Sequence, residues 1–251
     1  MFYVIPDISD IENFIALSKS NNLGWEYNDF IYPEVYDNPE KISSIIDFYL
    51  ALDRDRSLDT MHGAFFGLDL AATDPVISSR SKELLEQSLQ IAERLEIKGV
   101  VFHTGLIGGL RLPSYIDNWL NKSVAFWKEQ CEKHPNLSVY MENTFEQEPD
   151  VFVKLMQRMQ GVNNFKLCLD YGHAMLTKTP IEEWCKQFAP YTGHMHINDN
   201  DLVDDLHLVP GNGKIDFNQY KKLMHKYDIN VSTLIELKGY DNAKKALEFC
   251  L

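Results

Sequence analysis

The sequence predicts an α/β fold, a closed (β/α)₈ TIM barrel that forms a single domain over residues 1–251. Short β-branched or aromatic runs alternate with longer amphipathic segments eight times, which is typical of parallel βαβ units. The length of 251 residues is also the usual size of one such barrel. A doubly wound sheet that binds a dinucleotide is disfavoured, because no GxGxxG follows the first strand.

In the first half of the chain, each short apolar run precedes a segment with helical spacing. Ile42, Ile45, Ile46 and Tyr49, for example, lie on one face of a helix. The predicted strands here are 2–5, 24–28, 58–62 and 98–105, and the predicted helices are 8–20, 39–52, 78–97 and 115–133.

The second half repeats the alternation. The fifth strand reads "LSVYMEN" and the sixth lies within "FKLCLDYGHA". The predicted strands are 137–143, a run within 165–174, 192–199 and 231–239, and the predicted helices lie near 149–160, 181–188, 217–227 and 241–250.

Composition narrows the class of partner. The chain is 45% hydrophobic and 24% charged, as expected of a globular protein with a full core. Asp plus Glu is 37 and Lys plus Arg is 24, giving a net charge of −13. Proteins that bind nucleic acid usually carry a basic surface, so this balance disfavours DNA without excluding it.

The termini and the cysteines suggest a cytoplasmic protein with no membrane partner. The first apolar run ends at Pro6 and Asp7 without a basic flank, which is typical neither of a signal peptide nor of a membrane span. The four cysteines are far apart and form no CxxC pair. We expect free thiols in a reducing compartment.

Side chains of metal-ligand type stand at or near the ends of six consecutive predicted strands. In a barrel these carboxyl ends converge on one face, where active sites are built. A shared polar site is therefore predicted there. The six residues are His62, His103, Glu142, Asp170, His196 and Glu236.

Two further groups extend this set. His173 follows Asp170 by three residues, and the loop after the seventh strand contains the pair Asp205 and His207. His194 precedes His196 by two, so it faces the same side but deeper in the barrel. We interpret His194 as a packing residue or as one that contacts a ligand from behind.

At this point the sequence resembles a known family. The motifs "FHTG", "MENT", "CLDYGHA", "HMHINDND", "DLHLVPGNGKID" and "LIELKG" run in family order. They resemble the xylose isomerase-like TIM-barrel superfamily, and within it endonuclease IV (AP endonuclease family 2) and the sugar-phosphate isomerases and epimerases.

The resemblance to endonuclease IV implies three zinc ions held by nine side chains. Imidazole and carboxylate ligands without thiolate suit Zn²⁺, with Mn²⁺ as the alternative. Paired ions can activate water and clamp both oxygens of an in-line phosphoryl displacement. The implied groups are His62, His103 and Glu142 for one ion, Glu142, Asp170, His196 and Glu236 for a second, and His173, Asp205 and His207 for a third.

The resemblance to isomerases and epimerases implies a different reaction at a single ion. The ion is held by Glu142, Asp170, His196 and Glu236, and the two glutamates serve as acid and base beside a carbonyl. The remaining ligands are surplus to such an enzyme, which favours phosphoester hydrolysis. A third hypothesis is a metal- or sugar-binding protein without catalysis.

Two departures from the endonuclease weaken the DNA hypothesis. Leu206 stands where the endonuclease has Arg inside its Asp-x-His motif. Phe65 and Phe66 lie where that enzyme inserts a wedge into DNA, but a hydrophobic lid over a small substrate, or plain packing, is favoured here. The predicted substrate is therefore a small sugar or phosphorylated sugar.

The remaining predicted roles concern chemistry and substrate contact. Glu142, Glu236 and His103 are the predicted catalytic residues. Cationic side chains and the glycine backbone of "PGNGK" are candidates for binding phosphate. The predicted substrate contacts are Glu26, Phe65, Phe66, Arg111, Lys214 and Lys238.

Overall fold

The computed structural model describes residues 1–250, and its eight strands close into a barrel in chain order. The closing pair is parallel, with Phe2 opposite Thr233 and Val4 opposite Ile235. The predicted (β/α)₈ fold is confirmed. The strands are β1 (Phe2–Val4), β2 (Gly24–Tyr27), β3 (Thr60–His62), β4 (Gly99–His103), β5 (Ser138–Glu142), β6 (Phe165–Asp170), β7 (Thr192–Ile197) and β8 (Ser232–Ile235).

Ten α-helices connect and cover the strands of the described chain. A 3₁₀ turn at Ile8–Asp10 precedes the first of them. The helices are α1 (Ile11–Asn21), α2 (Pro33–Tyr36), α3 (Pro39–Leu50), α4 (Pro75–Leu95), α5 (Pro113–Lys133), α6 (Asp150–Arg158), α7 (Tyr171–Met175), α8 (Ile181–Phe188), α9 (Phe217–Lys226) and α10 (Tyr240–Cys250).

The prediction was wrong at several helix boundaries. α4 begins at Pro75 rather than at residue 78, because Asp74 accepts a hydrogen bond from Val76 N at 2.8 Å and caps the helix. Proline fits the first turn, where no intrahelical donor is needed. The short helices α2 and α7 were not predicted, since one turn is too short to show a helical period.

The chain divides into two compact units. Unit one comprises Met1–Glu26, Glu142–Val153 and the chain from Leu167 onward, and unit two comprises Tyr27–Met141 and Lys154–Lys166. Trp25 and Trp184 are fully buried in unit one, and Trp119 and Trp127 are buried in unit two. No helix among residues 1–250 has the length and hydropathy to cross a membrane.

The cysteines are free thiols, and burial raises the pKa of each. The pKa rises to about 12 for Cys131 and Cys185 and to about 11 for Cys250, and Cys168 is fully buried with a pKa raised further. At pH 8 a thiol with pKa 12 is ionised in roughly one part in ten thousand molecules.

We therefore expect the folded protein to react very slowly with a thiol reagent at pH 8, because the thiolate is the nucleophile. A colorimetric thiol titration in buffer measures this. The same titration in guanidinium chloride is the control and must count all four cysteines. Labelling of all four cysteines within minutes in buffer would contradict the burial of Cys131, Cys168 and Cys185.

Candidate metal centre

The best-defined group in unit one consists of four side chains from neighbouring strand ends. Glu142 and Asp170 end β5 and β6, His196 lies in β7, and Glu236 follows β8 directly. Their ligand atoms all lie within 4.8 Å of one another. His196 Nδ1 is 3.3 Å from Glu142 Oε1 and 3.5 Å from Glu236 Oε2.

The charge of this group fits a divalent cation. Asp170 Oδ2 and Glu236 Oε2 are buried and have no hydrogen-bond donor. Burial, together with the Glu236 and Glu142 carboxylates, raises the pKa of Asp170 to about 7. Burial would also raise the pKa of Glu236, but His196 and His207 lower it instead. Buried carboxylates are stable when they are paired or bind a metal, and this set has the residue types of a Zn²⁺ or Mn²⁺ site.

His196 is oriented from behind by a buried carboxylate. Its Nε2 lies 3.1 Å from Glu26 Oε1, while Glu26 Oε2 lies 3.1 Å from His194 Nε2. Burial would raise the pKa of Glu26, but His196 and His194 lower it, so the carboxylate stays charged. A carboxylate that accepts one ring N–H of a histidine fixes the tautomer that presents the other nitrogen to a metal.

Glu26 was predicted to contact substrate, but its side chain is 0% exposed. The position of Glu26 indicates instead that it orients the His196 ring. His194 has the position expected from the sequence, since it is fully buried and its Nδ1 lies 2.7 Å from Ser232 Oγ.

A second group in unit one contains His173, Asp205 and His207. Asp205 Oδ2 lies 3.2 Å from His173 Nε2 and 3.1 Å from His207 Nε2. The opposite ring nitrogens are held by backbone carbonyls, with His173 Nδ1 at 2.9 Å from Asn143 O and His207 Nδ1 at 3.0 Å from Glu236 O.

The tautomers of these two rings follow from the carbonyls. A carbonyl only accepts hydrogen bonds, so Nδ1 of each ring must donate. In a neutral ring, Nε2 then presents a lone pair to the Asp205 carboxylate, which also only accepts. The nitrogen lone pair and the carboxylate oxygen repel each other, so a positive charge must lie between them. This charge is either an extra proton on each ring or a metal ion. Metal-binding histidines commonly have this arrangement, with one N–H donated to a carbonyl.

The pKa shifts have the corresponding sign. Burial alone would lower the pKa of His207, but Asp205 and Glu236 raise it to about 10. The pKa of His173 is likewise raised against burial by Asp170, Asp205 and Glu142. Positive charge is therefore stabilised in this group.

Unit two contains the other predicted histidine ligands. His62 Nε2 lies 3.1 Å from His103 Nε2, and His62 Nδ1 lies 2.9 Å from Gly63 O. The His62 ring thus also donates to a carbonyl and presents Nε2 to its neighbour. The sequence predicted these two residues at one site, and the structure brings the pair together.

An aromatic stack adjoins this histidine pair. The Phe65 ring centroid lies 5.0 Å from that of His62 and 4.5 Å from that of His103. Phe66 packs on Phe65 and is 44% exposed, and Tyr32 stacks on Phe66 at 5.0 Å. The contribution of Tyr32 was not predicted, because Tyr32 follows β2, whereas Phe65 and Phe66 follow β3.

A buried acid holds the loop after β7. Asp199 is fully buried. Its carboxylate accepts hydrogen bonds from Gly211 N at 2.9 Å and Gly213 N at 2.8 Å. The glycine backbone is therefore bound to Asp199, so the prediction that these amides contact a phosphate was wrong. The predicted cations Arg111, Lys214 and Lys238 are exposed.

The model of the xylose isomerase-like TIM barrel family matches residues 27–250. The chain belongs to this family. The superfamily predicted from the sequence motifs is thereby confirmed.

Individual relatives within this family carry different names. An uncharacterised protein of Methanocaldococcus jannaschii is 29% identical over 194 residues, which cover 72% of this chain and 70% of the relative. A probable endonuclease 4 of Halorhodospira halophila is 25% identical over 179 residues, covering 62% of this chain and 59% of the relative. The crystal structure of a D-tagatose 3-epimerase-like protein covers 100% of this chain and 96% of its own, with a TM-score of 0.78 and 19% identity.

These relatives include proteins named as a nuclease and as an epimerase-like protein. The structural match at 19% identity establishes the fold alone. Membership of the family thus indicates an enzyme-like barrel, and the reaction must be inferred from the side chains.

Proposed function

We propose that this protein is a divalent-metal-dependent enzyme that cleaves a phosphoester in a sugar-phosphate-type substrate. The observation that carries the proposal is the group of His173, Asp205 and His207. It adds a second ligand group to the four residues that one ion requires, and both rings are held by carbonyls with Nε2 toward the same carboxylate oxygen.

The proposed ligands are the nine residues that the sequence motifs predicted, and they hold up to three ions. Zn²⁺ is the preferred ion and Mn²⁺ the alternative. The proposed assignment joins the His62–His103 pair with Glu142, because strand ends of a barrel face the same side. It is His62, His103 and Glu142 for one ion, Glu142, Asp170, His196 and Glu236 for a second, and His173, Asp205 and His207 for a third.

When bound, the ions supply Lewis acidity to the phosphoryl oxygens. The chain contributes orientation and charge. Glu26 holds His196 in one tautomer. Glu142, Glu236 and His103 are proposed to stand next to the reacting atoms. Phe65 and Phe66 are proposed to cover one side of the substrate and exclude water.

The proposed substrate is a small phosphorylated sugar rather than DNA. The net charge of −13 opposes the approach of a polyanion. The exposed cations Arg111, Lys214 and Lys238 are proposed to contact a phosphate group. A substrate with one or two phosphates needs only a few such contacts.

A sugar isomerase or epimerase is the second candidate, and the group of Glu142, Asp170, His196 and Glu236 favours it. That group is complete for one ion. Glu142 ends β5 and Glu236 follows β8, the first and last of the four strands that carry this group. The two glutamates are suited to move a proton to and from a carbon beside a carbonyl. The second group then has no evident part in the reaction.

Metal content per chain is expected to separate these functions. Protein purified without chelator and without a metal-affinity tag is analysed for bound elements. The hydrolase proposal expects about three equivalents, chiefly zinc, and loss of phosphoester cleavage after chelation, restored by added Zn²⁺.

About one equivalent would oppose the proposal and favour the epimerase. Activity assays then decide the reaction. The hydrolase releases inorganic phosphate from sugar phosphates or cleaves abasic DNA, whereas the epimerase exchanges a carbon-bound proton of a sugar with deuterated solvent. A fully metallated protein that cleaves no phosphoester would overturn the proposal.

A further inference from the structure

The loop that carries Asp205 and His207 leaves the barrel after β7 and returns beside its own starting point. We call residues 200–215 the ligand loop. At its base Asp199 and Leu208 form an isolated antiparallel bridge, with N to O distances of 2.8 and 2.7 Å. Two sets of contacts join the ends of the ligand loop to each other. Among the hydrogen bonds described for residues 1–250, they are this bridge and the contacts of Asp199 and Asn200.

The carboxylate of Asp199 is the centre of this base. Its Oδ2 accepts hydrogen bonds from Gly211 N at 2.9 Å and Gly213 N at 2.8 Å, and its Oδ1 accepts from Asn200 N at 2.9 Å and Ile215 N at 3.0 Å. The side chain is fully buried. Hydrogen bonds from backbone N–H groups to a carboxylate are stronger than those between neutral groups, so one side chain fixes both ends of the loop.

The backbone at Gly213 packs closely against Asp199 and Asn200. A Cβ at Gly213 would lie 2.3 Å from Asp199 Oδ1 and 2.4 Å from Asn200 O. Lys214 N donates to Asn200 O at 2.7 Å, and Asn200 Nδ2 donates to Gly172 O at 3.0 Å. Because Gly172 precedes His173, the loop base is connected to the helix that carries the third member of the group.

The loop also holds His207 in an unfavourable backbone conformation. Its φ is 46°, in the left-handed region that residues other than glycine rarely adopt. Such a conformation persists when the surrounding structure imposes it. The hydrogen bonds at the loop base supply that constraint.

We propose that Asp199 is a positioning residue for the group of His173, Asp205 and His207. It contacts none of these three side chains in the described hydrogen bonds, but it keeps the loop folded so that Asp205 and His207 meet His173. The metal-binding half of this inference rests on the proposed function. The half that concerns the loop conformation does not.

The test replaces Asp199 with Asn and compares it with Asp201→Asn. Asn at 199 turns one acceptor oxygen into an amide NH₂ that faces backbone donors. Asp201 is a matched control in the same loop, because its Oδ1 also accepts two backbone hydrogen bonds, from Val203 N and Asp204 N, but it is not at the base. Amide hydrogen exchange is measured by mass spectrometry on the full chain, and zinc is counted after equilibrium dialysis against ZnCl₂.

In D199N we expect the amides of residues 200–215 to exchange about tenfold faster or more, while the barrel strands keep their protection. Bound zinc falls by about one equivalent, and the other equivalents stay. D201N matches the wild type in both measurements. Unchanged exchange in D199N would overturn the proposal, as would faster exchange over the whole barrel, which indicates a merely structural role.

Gly213→Ala provides a second variant if D199N does not fold. Its added Cβ displaces the same contact while the Asp199 charge stays in place. The same selective exchange and loss of one zinc equivalent are expected, and wild-type behaviour of G213A would overturn the proposal. If the wild type itself binds only one equivalent, the three-ion site fails, and the exchange measurement alone then supports or overturns the role of Asp199.

Discussion

Replacing Asp205 with Asn is expected to lower phosphoester cleavage at least about 100-fold, since even residues behind metal ligands typically contribute 10–100-fold. One oxygen of Asp205 faces Nε2 of both His173 and His207. The two histidines lower the pKa of Asp205 against the effect of burial, so the group depends on its negative charge. The neutral amide removes that charge without removing volume.

Asp204→Asn is the matched control for D205N. Asp204 is the neighbouring acid in the same loop and is exposed, so its replacement is expected to leave cleavage unchanged. The measurement is kcat/KM for phosphate release at saturating Zn²⁺. If D205N and D204N both retain full activity, the second ligand group has no part in the reaction. A retained proton exchange on a sugar in D205N would then favour the epimerase.

The candidate site was predictable where ligand types coincide with strand ends. His62, His103 and Glu142 each end a strand in the sequence, and each ends β3, β4 or β5 in the structure. A period of two residues fixes the side to which such a residue points, and the parallel topology brings neighbouring ends together. Local sequence therefore carries most of this information.

The supporting residues were not predictable in the same way. Asp199 lies among acids that resemble a solvated loop, and its burial depends on amides 12 to 16 residues away. Glu26 acquires its role from His194 and His196, which lie far along the chain. Contacts of this range depend on how the barrel closes, and no short motif encodes them.

Replacing Asp59 with Ala is expected to destabilise the protein by about 3–5 kcal/mol, the usual effect of removing one partner of a buried ion pair. Asp59 precedes β3 and is 1% exposed. Its two oxygens accept from Arg54 Nη2 at 2.6 Å and Nε at 3.0 Å, and one of them also accepts from Tyr27 Oη at 2.8 Å.

The expected loss of stability comes from Arg54 and Tyr27, the two side chains that donate hydrogen bonds to the Asp59 carboxylate. The Arg54 side chain is only 12% exposed, so its guanidinium loses a bidentate partner where water has little access. Burial and the Asp59 charge raise the pKa of Tyr27, which keeps the hydroxyl protonated and able to donate. The alanine variant removes the acceptor for both groups and leaves a cavity at the start of β3.

Urea unfolding followed by circular dichroism measures this loss, with Asp55→Ala as the control from the same turn. Asp55 is exposed and accepts hydrogen bonds from nearby Ser57, so the unfolding midpoint of D55A is expected to stay near that of the wild type. Equal midpoints for D59A and D55A would mean that Arg54 and Tyr27 find water or other acceptors. Asp59 and His62 lie at opposite ends of β3. A loss of stability in D59A without loss of bound zinc would therefore show that Asp59 contributes to the stability of the fold and not to metal binding.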